Sequence, residues 1–300
     1  MRTKRYAIGI AALLAVTMLA ACGKNDNKPA ESPSASPSAS VSASPSASAP
    51  ASPSASAPSA ENSKLSAAEV FDKTIEALKP INSYNLSSKI SQKMTPANAE
   101  TITNDISMDM DLVNSPLSFK QLTNITSNGV AQNVEMYYTK DGMIMKDPSS
   151  GTWMKLPQEQ TDAALAGMNQ DDINPSKEME GLKPYAGDLK LEETDKAYIV
   201  KLDASGEKFN EFVRQKALEN LQNLASENPD FKIHKVDYAF TIDKQTYLPI
   251  SADINMNFDM EFSGQQMAVD QKIAIDYSKF NEIKEIVLPD EAKSAVGASQ

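Results

Sequence analysis

The sequence predicts an α+β fold in which a curved antiparallel β-sheet wraps over two or three helices. In the last third of the chain, apolar residues alternate with polar ones over 236–242, 254–262 and 267–277, which is typical of strands with one buried and one solvated face. Residues 65–79 and 208–225 instead carry apolar residues at helical spacing. Because a one-sided sheet must cover its apolar face, we expect these helices to lie on it.

The first helix has the clearest boundaries. Ser66 is a suitable N-cap, and Glu69 three residues later completes a capping box. Pro80 ends the helix. The residues of its apolar stripe are Val70, Phe71, Thr74, Ile75 and Leu78. A less regular section from 158 to 187 contains a further short helix candidate at 160–168.

Strands are also predicted before that section. Alternating residues indicate strands within 84–90, 102–112, 117–119, 130–138, 143–146 and 153–156, and two more follow at 189–193 and 197–202. Asp141-Gly142 is a hairpin turn signal. Long strands joined by short turns predict antiparallel meanders.

The amino terminus predicts a lipid anchor. A basic start is followed by an apolar run from Ala7 to Leu19, too short for a membrane-spanning helix, and then by Leu19-Ala20-Ala21-Cys22. This is the layout of a bacterial lipoprotein signal peptide, so we expect cleavage before Cys22 and diacylglycerol on its sulfur. The alternative is an ordinary secretory signal with an incidental cysteine. The anchor predicts a protein attached to the cell membrane at its extracytoplasmic face.

Composition divides the rest of the chain. Residues 1–21 are the signal peptide, and residues 22–63 are the lipidated cysteine and a Ser/Ala/Pro linker, expected to be disordered because it has too little apolar surface to bury. Residues 64–292 form one domain, and residues 293–300 are predicted to be a flexible tail. Cys22 is the only cysteine, so the domain must be stabilised without disulfides.

Charge and motifs argue against several functions. A formal net charge of −11 repels nucleic acid and anionic headgroups. His234 is the only histidine, and neither zinc-ligand sets nor phosphate-binding loops occur. The acidic pairs Asp109/Asp111 and Asp171/Asp172 are interpreted as solvated acids. The sequence therefore predicts a protein without enzymatic activity, cofactor or metal. An enzyme acting on envelope polymers through His234 or Asp109 is the less favoured alternative.

Methionine suggests a binding surface. Several of the 14 methionines fall on predicted strands, and flexible thioethers suit surfaces that adapt to varied apolar ligands. Ordinary core packing is the competing interpretation. The residues expected to line an apolar cavity between sheet and helices are Met108, Met136, Tyr138, Met256, Phe258 and Met260.

Five short motifs carry a family resemblance: 138–142 (YTKDG), 151–155 (GTWMK), 241–249 (TIDKQTYLP), 276–281 (DYSKFN) and 286–289 (IVLP). With the lipoprotein signal and linker, this order of parts resembles the LolA/LppX-like bacterial lipoproteins, in particular their uncharacterised Gram-positive branch, over about residues 64–292. The resemblance implies a half-barrel around an apolar cavity that binds a lipid or another hydrophobic ligand. It leaves open an envelope sensor or protein-interaction module without a lipid-carrier role, whose partner is a cell-envelope protein.

Overall fold

The computed structural model describes residues 65–165, 175–204, 211, 214, 230–262 and 265–297. The predicted signal peptide, Cys22, the linker, Asp171, Asp172 and the turn at 263–264 lie outside these residues. Of the helix predicted over 208–225, residues 211 and 214 are described, and both are helical.

The elements follow the predicted order. The helices are α1 (Ala67–Leu78), α2 (Gln158–Leu165), α3 (Pro175–Leu182) and α4 (Asp290–Gly297), with a 3₁₀ helix at Lys183–Asp188. The strands are β1 (Ser83–Pro96), β2 (Ile102–Val113), β3 (Ser118–Ser127), β4 (Val130–Thr139), β5 (Gly142–Lys146), β6 (Trp153–Lys155), β7 (Leu189–Glu193), β8 (Ala197–Ala204), β9 (Asp230–Asp243), β10 (Pro249–Phe262) and β11 (Gln265–Ser278). Across the described ranges, no helix is long and apolar enough to cross a bilayer.

Helix α1 forms where the capping box predicts it. The Ser66 hydroxyl accepts a hydrogen bond from the Glu69 N–H at 3.2 Å, and the Glu69 carboxylate accepts one from the Ser66 N–H at 2.8 Å. The hydrogen bonds that the Glu69 carboxylate accepts from the N–H and the hydroxyl of Ser66 lower the pKa of Glu69. The predicted apolar stripe is buried, and the ring of Phe71 meets that of Phe240 on β9 edge-on, with centroids 6.1 Å apart. The helix therefore covers the apolar face of the sheet.

The described strands form one antiparallel sheet of eleven strands in the order β6-β5-β4-β3-β2-β1-β11-β10-β9-β8-β7. Strands β1–β6 make one meander and β7–β11 make the other. The two meanders are joined where β1 pairs with β11, with Asn85 opposite Ser278 and Pro96 opposite Met267. This open, curved sheet with helices against it confirms the predicted α+β class.

An isoleucine ladder marks the centre of the apolar face. Five isoleucines lie opposite one another across β10, β11, β1, β2 and β3, and each is at most 8% exposed. Branched side chains in cross-strand register pack well on a pleated surface. The ladder consists of Ile254, Ile273, Ile90, Ile106 and Ile125.

Residues 290–297 form a helix, which corrects the prediction of a flexible tail over residues 293–297. Residues 298–300 of that predicted tail lie outside the described residues. Helix α4 lies on the face of β5 and β6 opposite to the isoleucine ladder. There Ala292 and Ala295 are buried against Ile144, with Trp153 packed beside them. The helix is short and polar, so its sequence pattern is weak, and its position depends on this packing.

Deleting residues 290–300 is expected to destabilise the protein, because Ile144, now fully buried, would be exposed to water. Burial of one large apolar side chain is worth about 1.5–3 kcal/mol. Urea unfolding should show this loss of free energy. Deletion of residues 298–300 alone is the control and should leave the urea concentration at the unfolding midpoint unchanged. Equal unfolding midpoints for the two deletions would contradict the packing of α4.

Candidate functional site

The six residues predicted to line a cavity share the apolar face of the sheet. The strand register places all six side chains on the same side of the sheet as the isoleucine ladder. They are Met108, Met136, Tyr138, Met256, Phe258 and Met260. They do not form one cluster. Strand β10 and strand β4 are five strand spacings apart, about 24 Å along the sheet. Met256 and Phe258 are buried, and the other four are partly exposed.

A buried polar row crosses this apolar face beside the ladder. Gln271, Gln92 and Asn104 lie opposite one another on β11, β1 and β2, and each is at most 3% exposed. The Asn104 amide donates to the Gln92 carbonyl at 3.2 Å, whereas the side-chain amide of Gln271 has no hydrogen-bond partner among the described residues. A buried polar group without a partner is costly. The row therefore interrupts the apolar surface between the ladder and Phe258.

A cavity of about 1150 Å³ lies at one end of the sheet. We call it the strand-end cavity. Its walls come from the turn between β2 and β3, from the β4–β5 hairpin, from the last residue of α2 and from the segment between β11 and α4. Its apolar lining consists of Val113, Pro116, Leu117, Tyr138, Leu165, Ile286, Val287 and Leu288. Of the six residues predicted from the sequence, Tyr138 is the one that lines it.

Asn82 ties two walls of the strand-end cavity together. Its side-chain amide donates to the carbonyl oxygen of Ser115 at 3.3 Å, and its backbone N–H donates to Oδ1 of Asn281 at 2.7 Å. The N–H of Asn281 in turn donates to the carbonyl of Ser83 at 2.7 Å. Asn281 has a φ of 58°, a left-handed conformation that asparagine tolerates better than most residues. The segment after β11 is therefore held at the start of β1.

The β4–β5 hairpin supplies the facing wall. A hairpin forms where Asp141-Gly142 predicts one, but its two turn residues are Lys140 and Asp141, and Gly142 begins β5. Strand β4 pairs with β5 up to Thr139 and Gly142. The Asp141 N–H donates to the Thr139 hydroxyl at 3.2 Å. Gly142 has a φ of +105°, a backbone conformation that favours glycine, and an added Cβ would lie 3.1 Å from the flexible side chain of Lys155. Next to the turn, the ring of Tyr138 lies 5.7 Å from that of Phe119.

The charged residues at the strand-end cavity do not share the acidic excess of the chain. Three lysines and two acids line it, although the chain as a whole has 40 acidic and 29 basic residues. Lys293 is paired with Asp290 at 2.6 Å. Lys140 and Lys284 are exposed and form no ion pair within the described parts of the chain. The acids are Asp141 and Glu285.

A second cavity, of about 650 Å³, lies on the opposite face of the central strands. We call it the polar groove. The side chains on that face carry charges or hydrogen-bonding groups, and its two lysines and two aspartates balance. It suits a polar rather than an apolar ligand. The polar residues lining it are Lys89, Ser91, Asp105, Ser107, Asn124, Thr126, Asp253, Asn255 and Lys272.

The acidic pair and the histidine singled out in the sequence lie away from both cavities. Asp109 and Asp111 share the polar face of β2, where the Asn85 amide donates to Asp111 at 2.8 Å and lies 3.4 Å from the Asp109 carboxylate. His234 is at an irregularity of β9, and its Nε2 lies 2.8 Å from the Asp259 carboxylate. Among the described residues, no three potential ligands of types His, Cys, Asp or Glu come together at a metal-sized site.

The family of this chain follows from its sequence. Residues 66–296 match the model of the DUF6612 family, which is described as a family of unknown function. The chain belongs to the DUF6612 family. The match begins at the N-cap of α1 and extends into α4, so α4 is part of the family domain. No curated protein matches the sequence.

Several solved structures are similar to this DUF6612 protein. A LolA superfamily protein from Nitrosomonas europaea is 12% identical, with a TM-score of 0.22, and the match covers 76% of this chain and 97% of that one. A DUF1329 family protein from Desulfovibrio piger is 11% identical, with a TM-score of 0.21 and coverages of 74% and 94%. A putative outer membrane lipoprotein-sorting protein domain from Vibrio parahaemolyticus is 9% identical, with a TM-score of 0.18 and coverages of 75% and 96%. The LolA resemblance noted in the sequence recurs among these structures.

Sequence reasoning missed most of the strand-end cavity. Its walls are mainly strand ends and the connections between them, and the alternation of apolar residues does not predict the positions of connections. One signal was present: Ile286-Val287-Leu288 is an apolar run outside any predicted strand. Val287 is 64% exposed and lines the cavity. An exposed apolar residue in a segment tied to the sheet was the available indication of a binding surface.

Proposed function

We propose that this protein is a membrane-anchored extracytoplasmic lipoprotein that binds a lipid or another hydrophobic molecule. The observation that carries the proposal is the strand-end cavity, with its volume of about 1150 Å³ and its eight apolar lining residues. Ligand pockets are mostly apolar with a few polar groups that fix orientation. Eight of the seventeen residues that line the strand-end cavity are apolar, a larger share than the four of thirteen in the polar groove.

The anchor is the second part of the proposal. A diacylglyceryl group on Cys22 would hold the protein at the membrane, because two acyl chains give stable attachment where one binds only marginally. Residues 23–65 then separate the anchor from the start of α1. A binding domain attached in this way stays close to the membrane, where hydrophobic molecules are concentrated. The proposed role is binding, without catalysis.

Native mass spectrometry of the full chain purified from its host membrane tests the proposal. We expect the protein to carry a co-purifying hydrophobic molecule that is released by denaturation. Repeated absence of such a molecule, together with one dominant protein partner in crosslinking of intact cells, would contradict it. That outcome would favour an envelope sensor or protein-interaction module.

Filling the strand-end cavity should weaken binding of a hydrophobic probe. Leu117 is half-buried in the cavity wall, and Leu117→Trp would place an indole in the space. We expect at least a roughly tenfold loss of affinity for N-phenyl-1-naphthylamine in a fluorescence titration, since the ligand loses most of its apolar contacts. Val130→Trp is the matched control, because Val130 is 65% exposed and outside the cavity. Equal affinities of the two variants would show that the probe binds elsewhere.

A further inference from the structure

We propose that the ligand of the strand-end cavity is an anionic single-chain amphiphile whose headgroup is bound between Lys140 and Lys284. This inference rests on the proposed function and adds the chemical class of the ligand. It combines three observations, namely two lysines that form no ion pair with the described residues, their placement on separate walls, and the apolar lining residues close to each of them in the sequence.

The first observation is electrostatic. The chain is acidic as a whole, with a net charge of −11, whereas the strand-end cavity is lined by three lysines and by two acids, Asp141 and Glu285. Lys293 has Asp290 as its counterion. Lys140 and Lys284 have none among the residues that the structure describes. A negatively charged headgroup would supply that counterion at a place that lacks the acidic excess of the chain as a whole.

The second observation is the position of these two lysines. Lys140 is the residue before Asp141 in the β4–β5 hairpin, whose turn is fixed by the Thr139 hydroxyl and by the left-handed conformation of Gly142. Lys284 follows Asn281, which is bonded to the start of β1. The two walls are therefore held independently. A group that both lysines contact must lie between the walls, within the cavity.

The third observation is the adjoining apolar lining. A lysine stem packs along apolar surface while its ammonium group stays in water, so a lysine at the edge of an apolar cavity suits the junction between chain and headgroup. Each wall provides such a neighbour. Tyr138 lies two residues before Lys140, and Ile286 lies two residues after Lys284. A ligand with a charged headgroup and a single hydrocarbon chain matches this arrangement of lysines beside apolar residues.

Two probes with the same hydrocarbon chain test the inference. The chain from residue 22, carrying Cys22→Ser so that no acyl group is attached, is titrated with oleate, which is anionic, and with 1-monooleoylglycerol, which is neutral. Displacement of N-phenyl-1-naphthylamine reports binding. We expect Lys140→Gln/Lys284→Gln to weaken oleate binding roughly three- to tenfold, the range for two exposed charge contacts. Binding of 1-monooleoylglycerol should not change.

Lys89→Gln/Lys272→Gln is the matched control, because it removes two lysines from the polar groove and should leave both affinities unchanged. Raising the salt concentration should weaken oleate binding to the protein that keeps both lysines, since salt screens exposed charges. Binding of 1-monooleoylglycerol should not change. If both probes bind but neither the lysine variant nor salt affects oleate, the inference is overturned and the proposed function stands. If neither probe binds, both are overturned.

Discussion

Replacing Cys22 with serine should abolish the incorporation of labelled palmitate into the protein and prevent cleavage of the signal peptide. A diacylglyceryl group would be attached through sulfur, and Cys22 is the only thiol in the chain, so no other residue could take its place. The effect is all or none. Metabolic labelling measures lipidation, and intact mass measures cleavage, because the wild-type chain should begin at Cys22.

Ser36→Ala in the Ser/Ala/Pro linker is the control for this prediction. It changes a small polar residue 14 positions after Cys22 and should leave labelling and mass as in the wild type. Labelled palmitate in Cys22→Ser, or a wild-type chain cleaved at a site other than Cys22, would contradict the anchor. The protein would then have an ordinary secretory signal, which is the alternative that the sequence allows.

Replacing Phe71 with alanine should give the largest loss of stability among substitutions in α1. Its side chain is 1% exposed, and its ring packs edge-on against Phe240. Removal of a buried phenylalanine side chain costs about 3–5 kcal/mol, because apolar contacts are lost and a cavity remains. Urea unfolding followed by circular dichroism should show this decrease in the free energy of unfolding.

Phe71→Leu is the matched variant, since it keeps much of the apolar volume and should cost about 1 kcal/mol. The order of the free energies of unfolding of the wild type, Phe71→Leu and Phe71→Ala therefore tests whether α1 packs on the sheet through this residue. A decrease of less than about 1 kcal/mol for Phe71→Ala would contradict that packing.

Local signals in the sequence explain which elements were predicted correctly. Ser66 and Glu69 satisfy the first N–H groups of α1 by themselves, so the start of that helix is visible without knowledge of its neighbours. The strands with strict alternation were likewise assigned to the correct faces, since a one-residue shift would turn every apolar side chain to water. The capping box and the alternation are properties of short segments.

Elements that depend on distant partners were predicted less well. Helix α4 has little apolar character of its own, and Ala292 and Ala295 become informative only when Ile144 and Trp153 are brought beside them. The pairing of β1 with β11 joins residues nearly two hundred positions apart, such as Asn85 and Ser278. Alternation gives the face of each strand but does not identify its partner.

The candidate site also has features that local sequence predicts and features that depend on distant parts of the chain. The sequence placed Met108, Met256 and Tyr138 on one face of the sheet, and the register agrees. It did not reveal that β4 and β10 are far apart in the strand order. It also did not reveal that Asn82 holds the Ser115 turn and the segment after β11 together at the strand-end cavity.

The sequence by itself determined the lipid-anchor motif, the α+β class and the face to which each strand side chain belongs. These follow from residue type and from periods of 2 and 3.6, which act over a few neighbouring residues. Only the tertiary structure decided the strand order, the packing of α4 and the location of the strand-end cavity. A cavity is bounded by side chains from remote parts of the chain, and its volume depends on how closely the connecting segments approach one another. Lys140 and Lys284 acquire a common role only because those segments meet.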